Sequence, residues 1–284
     1  MTRPYAEVIG DPISHSKSPL IHNFWLAKLG IDAEYRRCHV RADELADYFA
    51  RRRGDAEWRG CNVTIPHKVD VLGFVDRSDS DALKVGASNV VTVHEGKLEA
   101  GNTDVSGIVE ALADATWESD KIAVLVDLVG AGGAARAAMV ALPLAGFSEI
   151  TVLARDKPKA DALSDELGLG AVYGFSAPLS ALVEVREPSD RYAHLIVNAS
   201  PLGMHGYPSL PIRLANYPDD TVVLDMVYSP LETPLLNEAR ALGFRTIDGL
   251  AMLIGQAAVA FEKFFGQAAP REHDAELRAL LTTQ

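Results

Sequence analysis

IAVLVDLVGAGGAARAAMVAL, residues 122–142, is the most informative segment of this 284-residue chain. The β-rich apolar run Ile122 to Val129 predicts a buried strand, glycines follow at once, and an alanine-rich helix then runs through Ala145. Between strand and helix lies Gly130-Ala131-Gly132-Gly133-Ala134-Ala135, a G-x-G-x-x-A turn. Glycine at 130 permits the tight turn, glycine at 132 lets backbone approach a pyrophosphate, and Ala135 keeps the helix close to the sheet. The amides at the helix start then face the anion. Such a turn also occurs where a helix merely packs tightly. Its place in a strand–turn–helix unit favours dinucleotide binding.

Working outward, strands are expected at Glu149 to Ala154, Ala193 to Asn198 and Thr221 to Met226, separated by helical or loop segments. This βαβ series predicts a parallel sheet with helices on both faces. The strand ending at Ala154 leads into Arg155-Asp156-Lys157, about where an acidic residue would hold the ribose of NAD or an arginine the extra phosphate of NADP. Arg155, Lys157 and Lys159 favour NADP. Asp156 favours NAD, or is a solvated loop carboxylate or local cap.

The first hundred residues read as alternating strands and helices: strand Tyr5 to Ile9, helix Pro19 to Leu29, strand Glu34 to His39, helix Ala42 to Arg52 and strand Gly60 to Ile65. Lys68 is expected to open a helix after Pro66. Asn89 to Val93 and Lys97 to Ala100 flank Glu95-Gly96, a hairpin signal. Helices are expected at Ala251 to Phe265 and Arg271 to Leu281, and the chain is expected to return through them to its first domain. The fold class is therefore α/β, with residues 1–104 and 249–284 as one domain and 105–248 as a Rossmann-type dinucleotide domain.

A net charge of -12 and a pI near 5.1 argue against a nucleic-acid groove or an anionic lipid surface, both of which need a basic face. The long apolar stretches are interrupted by Asp127, Arg136, Gln256 and Glu262, which argues against membrane spans. Cys38 and Cys61 match no metal-ligand spacing and read as reduced, packed thiols, so no metal is expected. Met1 to Gly10 shows no export signal, and a cytoplasmic monomer or homodimer is the expectation.

Polar clusters mark the first domain. Ser16 and Ser18 stand in GDPISHSKSP, where hydroxyls and helix amides suit a carboxylate, although Ser-x-Ser before proline also serves as a helix cap. In NVTIPHK, strand alternation puts Asn62 and Thr64 on one side, ahead of Lys68. Asn89 and Asn102-Thr103-Asp104 complete the set, the triplet alone reading as a cap. His22, His67 and His94 show no ligand pattern and read as structural.

The phrases GDPISHSKSPLIHN, NVTIPHK, SNV with GNTD, VGAGGAARAA, NASPLGM, DMVY and DGLAMLIGQAAVAF fall in the order and at about the spacings of shikimate dehydrogenases, which the chain resembles over nearly its whole length. The resemblance implies that Ser16, Ser18 and Tyr228 bind the substrate carboxylate. It implies a catalytic pair in Lys68 and Asp104, and a polyol-facing set in Asn62, Thr64, Asn89, Asn102 and Gln256. On the cofactor side it points to Gly130, Ala131, Gly132, Gly133, Ala134, Arg155, Met226 and Gly249. Read without it, Tyr228 and Gln256 are equally packing residues. The implied activity is NADP-dependent reduction of 3-dehydroshikimate to shikimate, with Lys68 stabilising and protonating the carbonyl oxygen. This chain has Ala154-Arg155-Asp156 where the family usually has Asn-Arg-Thr, which adds a carboxylate beside the phosphate site. Two rivals follow: an NAD-linked quinate or shikimate dehydrogenase, and a non-catalytic NADP-binding regulator, against which the Lys68 and Asp104 pair counts.

Overall fold

A computed structural model describes residues 3–117, 121, 123–167, 172–174 and 192–283, without the side chains of 159, 167 and 172–174. The chain forms two compact units, residues 1–107 with 254–284, and residues 108–253.

The first unit is built on β1 (Tyr5–Gly10), α1 (Ser18–Leu29), β2 (Glu34–His39), α2 (Leu45–Arg53), β3 (Trp58–Val63), β4 (Arg77–Ser78), α3 (Ser80–Val85), β5 (Val90–His94) and β6 (Lys97–Gly101). Its six strands run in the order β2-β1-β3-β5-β6-β4. β1 is parallel to both neighbours, while β5 is antiparallel to β3 and to β6. The β5–β6 hairpin turns at Glu95 and Gly96, with φ of 50° and 74°. β1 is buried along its whole length, including Glu7. That carboxylate accepts from Tyr48 Oη (2.9 Å), Arg52 Nε (2.8 Å) and Arg36 Nε (3.0 Å), which offsets the cost of taking its charge out of water. Burial pushes the thiols of Cys38 and Cys61 up, and both are free.

Helix α4 (Asp104–Leu112) crosses the unit boundary at Gly107/Ile108. The second unit then follows as β7 (Ala123–Val129), α5 (Gly133–Leu144), β8 (Glu149–Ala154), α6 (Lys157–Leu167), β9 (Val172–Gly174), β10 (Tyr192–Asn198), β11 (Val222–Asp225), α7 (Pro234–Ala241) and β12 (Arg245–Ile247). All six strands are parallel, in the order β12-β11-β10-β7-β8-β9. The chain winds from β7 to β9 in one direction and from β10 to β12 in the other, the doubly wound Rossmann arrangement. The strand order therefore reverses between β7 and β10, where Val129 pairs with Asn198. Ile122, the expected start of β7, lies outside the described residues.

Helix α8 (Gly249–Phe265) crosses back at Leu253/Ile254, and α9 (Asp274–Thr282) completes the first unit. In its core, Phe261 of α8 meets Trp25 of α1 edge-on at 5.5 Å. Among the described residues no helix is long and apolar enough to cross a membrane.

Lys68 does not open a helix. It sits in a turn between β3 and a short 3-10 helix at Asp70–Phe74, where His67 N–H donates back to Thr64 O and Ser88 N–H donates to Lys68 O. The expected Ala42 helix likewise opens as a 3-10 turn at Ala42–Glu44 before α2, and the Arg271 helix does so at Arg271–His273 before α9.

Candidate active site

The polar cluster of the first unit is assembled from loops at the ends of β1, β3 and β6, the residues just before β5, and α8. Lys68 Nζ lies 2.5 Å from Asp104 Oδ2, with the lysine side chain 19% and the aspartate 5% exposed. Asp104 is the first residue of α4, where a carboxylate is favoured by the helix dipole. Its amide donates to Asn102 Oδ1 at 3.1 Å, so Asn102 performs the capping role open to it, and Asn102 Nδ2 is occupied by Ala87 O.

Asn89 is the hub of this cluster. Its Nδ2 lies 2.8 Å from Asp104 Oδ1, 3.0 Å from Thr103 Oγ1 and 3.2 Å from Gln256 Oε1, while its Oδ1 accepts from Thr103 N–H at 2.7 Å. The structure thus brings Lys68, Asp104, Asn89 and Gln256 into one buried network and adds Thr103, which sequence reading saw only as part of a cap. Asn62 joins through its Nδ2, which donates to Asn89 O at 3.1 Å. Thr64 follows β3, and its methyl lies where a Cβ on Gly10 would come within 2.6 Å.

Ser16, in the turn ahead of α1, and Ser18, the first residue of that helix, are both buried. No side chain caps this helix at Lys17, although Ser18 N–H approaches Ser16 Oγ at 3.3 Å. Two cations hold the turn. Arg37 Nη2 and Nε donate to Ser16 O at 2.5 and 3.1 Å, and Lys17 Nζ donates to Leu281 O at 2.5 Å. Neither contact has a local sequence signal, because each joins residues far apart in the chain.

In the second unit, Gly130 to Ala134 connect β7 to α5 at the strand-order reversal. Gly130 has φ of 124°, and a Cβ there would come 2.9 Å from Ala199 O. A Cβ at Gly132 would meet nothing within 4 Å, and the N-cap Gly132 brings no side chain to the first amides of α5, which suits them to an anion. This cradle fits a dinucleotide pyrophosphate. Arg155 is exposed just after β8, whereas Lys157 Nζ is held by both oxygens of Asp161 at 2.6 and 2.7 Å. The side chain of Lys159 lies outside the described residues. Met226 and Tyr228 follow β11, and Gly249 packs so closely there that a Cβ would come 2.6 Å from Met226 O and from Val227 O. Asp225, given no role of its own by the sequence, accepts from Asn198 Nδ2 (2.9 Å), Val227 N–H (3.0 Å) and Thr233 Oγ1 (2.6 Å) and so fixes the loop that carries Met226 and Tyr228. Among the described residues no group of three or more His, Cys, Asp and Glu side chains is placed to hold a metal ion.

Two family models match the chain: the shikimate dehydrogenase substrate binding domain over residues 8–91 and the shikimate 5'-dehydrogenase C-terminal domain over residues 249–276. The chain is 50% identical to a shikimate dehydrogenase (NADP(+)) of Sphingopyxis alaskensis, covering 98% of this chain and 97% of that one. Among solved structures it resembles shikimate 5-dehydrogenase from Thermus thermophilus, crystallised with NADP(H) and shikimate, with a TM-score of 0.82, 32% identity and coverage of 98% and 99%. It also resembles quinate dehydrogenase from Corynebacterium glutamicum in complex with NAD, with a TM-score of 0.84, 31% identity and coverage of 98% and 99%. Fold, glycine turn and near full-length identity agree, and the chain belongs to the shikimate dehydrogenase family.

Proposed function

We propose that this protein is an NADP-dependent oxidoreductase that reversibly reduces 3-dehydroshikimate to shikimate, with residues 1–104 and 249–284 binding substrate and 105–248 binding the dinucleotide. The observation that carries the reading is the Lys68–Asp104 pair at 2.5 Å inside a network of neutral hydrogen-bonding side chains. A hydroxylated ring needs several such neutral donors and acceptors, and Asn89, Thr103 and Gln256 supply them together.

Bound NADPH supplies the hydride. In this reading the Lys68 ammonium stabilises negative charge developing on the ketone oxygen and donates the proton from Nζ to that oxygen. The partial exposure of Lys68 leaves the amine a path to recover a proton from water. Asp104 fixes the ammonium through Oδ2 and is itself held through Oδ1 by Asn89. Ser16, Ser18 and Tyr228 orient the substrate carboxylate, while Asn62, Thr64, Asn89 and Gln256 meet its hydroxyls. Gly130 to Ala134 hold the pyrophosphate, Arg155 holds the ribose phosphate, and Met226 and Gly249 line the nicotinamide end. A net charge of -12 supports a small-molecule enzyme over a nucleic-acid binder, and the same reading makes it a cytoplasmic monomer or homodimer.

An NAD-linked quinate or shikimate dehydrogenase is the second reading. Asp156 beside Arg155 favours it, as does the engagement of Lys157 by Asp161, which leaves fewer cations for a ribose phosphate. Initial rates with shikimate and quinate, each paired with NADP and NAD, separate the readings. Fast turnover confined to shikimate with NADP supports the first, and a preference for quinate or NAD supports the second. Turnover with no pair rejects both in favour of a non-catalytic binding protein.

A further inference from the structure

Tyr35 is a fully buried residue of β2, and its phenol reaches into the substrate cluster. Its Oη donates to Asn62 Oδ1 at 2.6 Å. The residue is pinned on every side. Asn23 of α1 clamps its backbone, accepting from Tyr35 N–H at 2.9 Å and donating to Tyr35 O at 2.7 Å. Its ring stacks on the buried His22 imidazole with centroids 4.0 Å apart and planes 3° from parallel.

A side-chain amide can turn over, exchanging its donor and acceptor ends. Asn62 cannot do so here. The Asn89 carbonyl can only accept and must face Nδ2, which leaves Oδ1 to the phenolic proton. Burial keeps the Tyr35 phenol protonated by pushing it well above its ordinary range, so it stays a donor across the working pH range. With one Nδ2 hydrogen spent on Asn89 O, the other is left for an oxygen of a bound ligand.

We infer that Tyr35 is a positioning residue for substrate, holding the amide of Asn62 in the orientation that the Asn89 carbonyl selects so that it presents a donor to a substrate hydroxyl. The inference rests on the functional reading above. It also separates binding from chemistry. The Asn89 carbonyl that Asn62 grips is independently held by Val63 N–H at 2.8 Å, so loss of the phenolic proton disturbs Asn62 without reaching the Lys68–Asp104 pair.

The test is Tyr35→Phe, which keeps the ring and its stacking and removes one oxygen. The expected result is a shikimate KM and equilibrium Kd raised about 5- to 10-fold, the worth of one buried hydrogen bond. kcat and the affinity for NADP should stay within about twofold, since neither depends on that bond. A purely structural hydroxyl would lower the melting temperature and leave this KM-against-kcat split absent. An active wild type with Tyr35→Phe matching its shikimate KM overturns the inference alone. A wild type inert towards shikimate overturns the functional reading and this inference together.

Discussion

Lys68 and His22 show how differently two ionisable side chains of one unit are used. Lys68 is partly exposed and paired with Asp104, and on the proposed mechanism Lys68→Ala removes both charge stabilisation and proton donor. Its kcat should fall about 10²- to 10⁴-fold with shikimate binding largely kept, and a variant with near-normal kcat would take Lys68 out of the chemistry. His22 is the opposite case. It is fully buried, neither ring nitrogen has a hydrogen-bond partner among the described residues, and burial lowers its pKa from 6.5 to about 3. Between those values the unfolded chain binds a proton that the folded chain refuses, so stability falls as pH drops below 6.5 and is fully present above it. At pH 5 this one residue should cost about 2 kcal/mol. Urea unfolding at pH 7 and pH 5 checks it: His22→Leu should lose correspondingly less stability between the two than wild type. Equal losses would clear His22 of the acid sensitivity.

Elements with a clear period were legible in the sequence, while those fixed by distant partners were not. Strands β2 and β8 match their expected limits, each preceded by a turn signal, Gly30 to Asp32 before the first and Gly146 to Ser148 before the second, and the Rossmann unit was legible from its glycine turn. Helix α3 went unseen because Ser80–Val85 is too short to show a helical period, and it is held by Asp79, which accepts from Asp81 N–H and Ala82 N–H. The site was half legible in the same sense. Lys68 and Asp104 meet across 36 residues, a pairing that no spacing rule gives and that only resemblance suggested. Tyr35 carried no signal, and Asp225 stood in the DMVY phrase without a role of its own, since both roles arise from strand order. Asp225 ties the ends of β10 and β11 to the start of α7, where Thr233 both donates to its carboxylate and caps the helix at Leu236 N–H. Desolvation pushes this carboxyl up, against the three donors that favour its ionised form. Asp225→Ala strands those donors and should cost about 3 kcal/mol in stability, with faster amide exchange across 226–236. A wild-type unfolding midpoint in that variant would reduce the clamp to decoration.

At the scale of the whole molecule, each unit has its own sheet and its own buried cluster. The acidic chain gives an anionic ligand no general attraction, so affinity must come from local donors; the proposed function assigns these to hydroxyls and amides in one unit and to the glycine turn and Arg155 in the other. Binding to a folded unit suppresses its opening by about 2.7 kcal/mol at a hundredfold excess over Kd, and the protection falls where the contacts are. Hydrogen exchange should therefore give two separate footprints. Shikimate alone should slow amides within 14–20, 60–68 and 87–104, whereas 2′,5′-ADP alone, which carries the ribose phosphate without a nicotinamide, should slow those within 128–136 and 153–158. Arg155→Ala should erase the second footprint and leave the first as it was. If shikimate instead protects the glycine turn, or 2′,5′-ADP the Asn89 network, the division of labour between the units is wrong even should the overall reaction prove right.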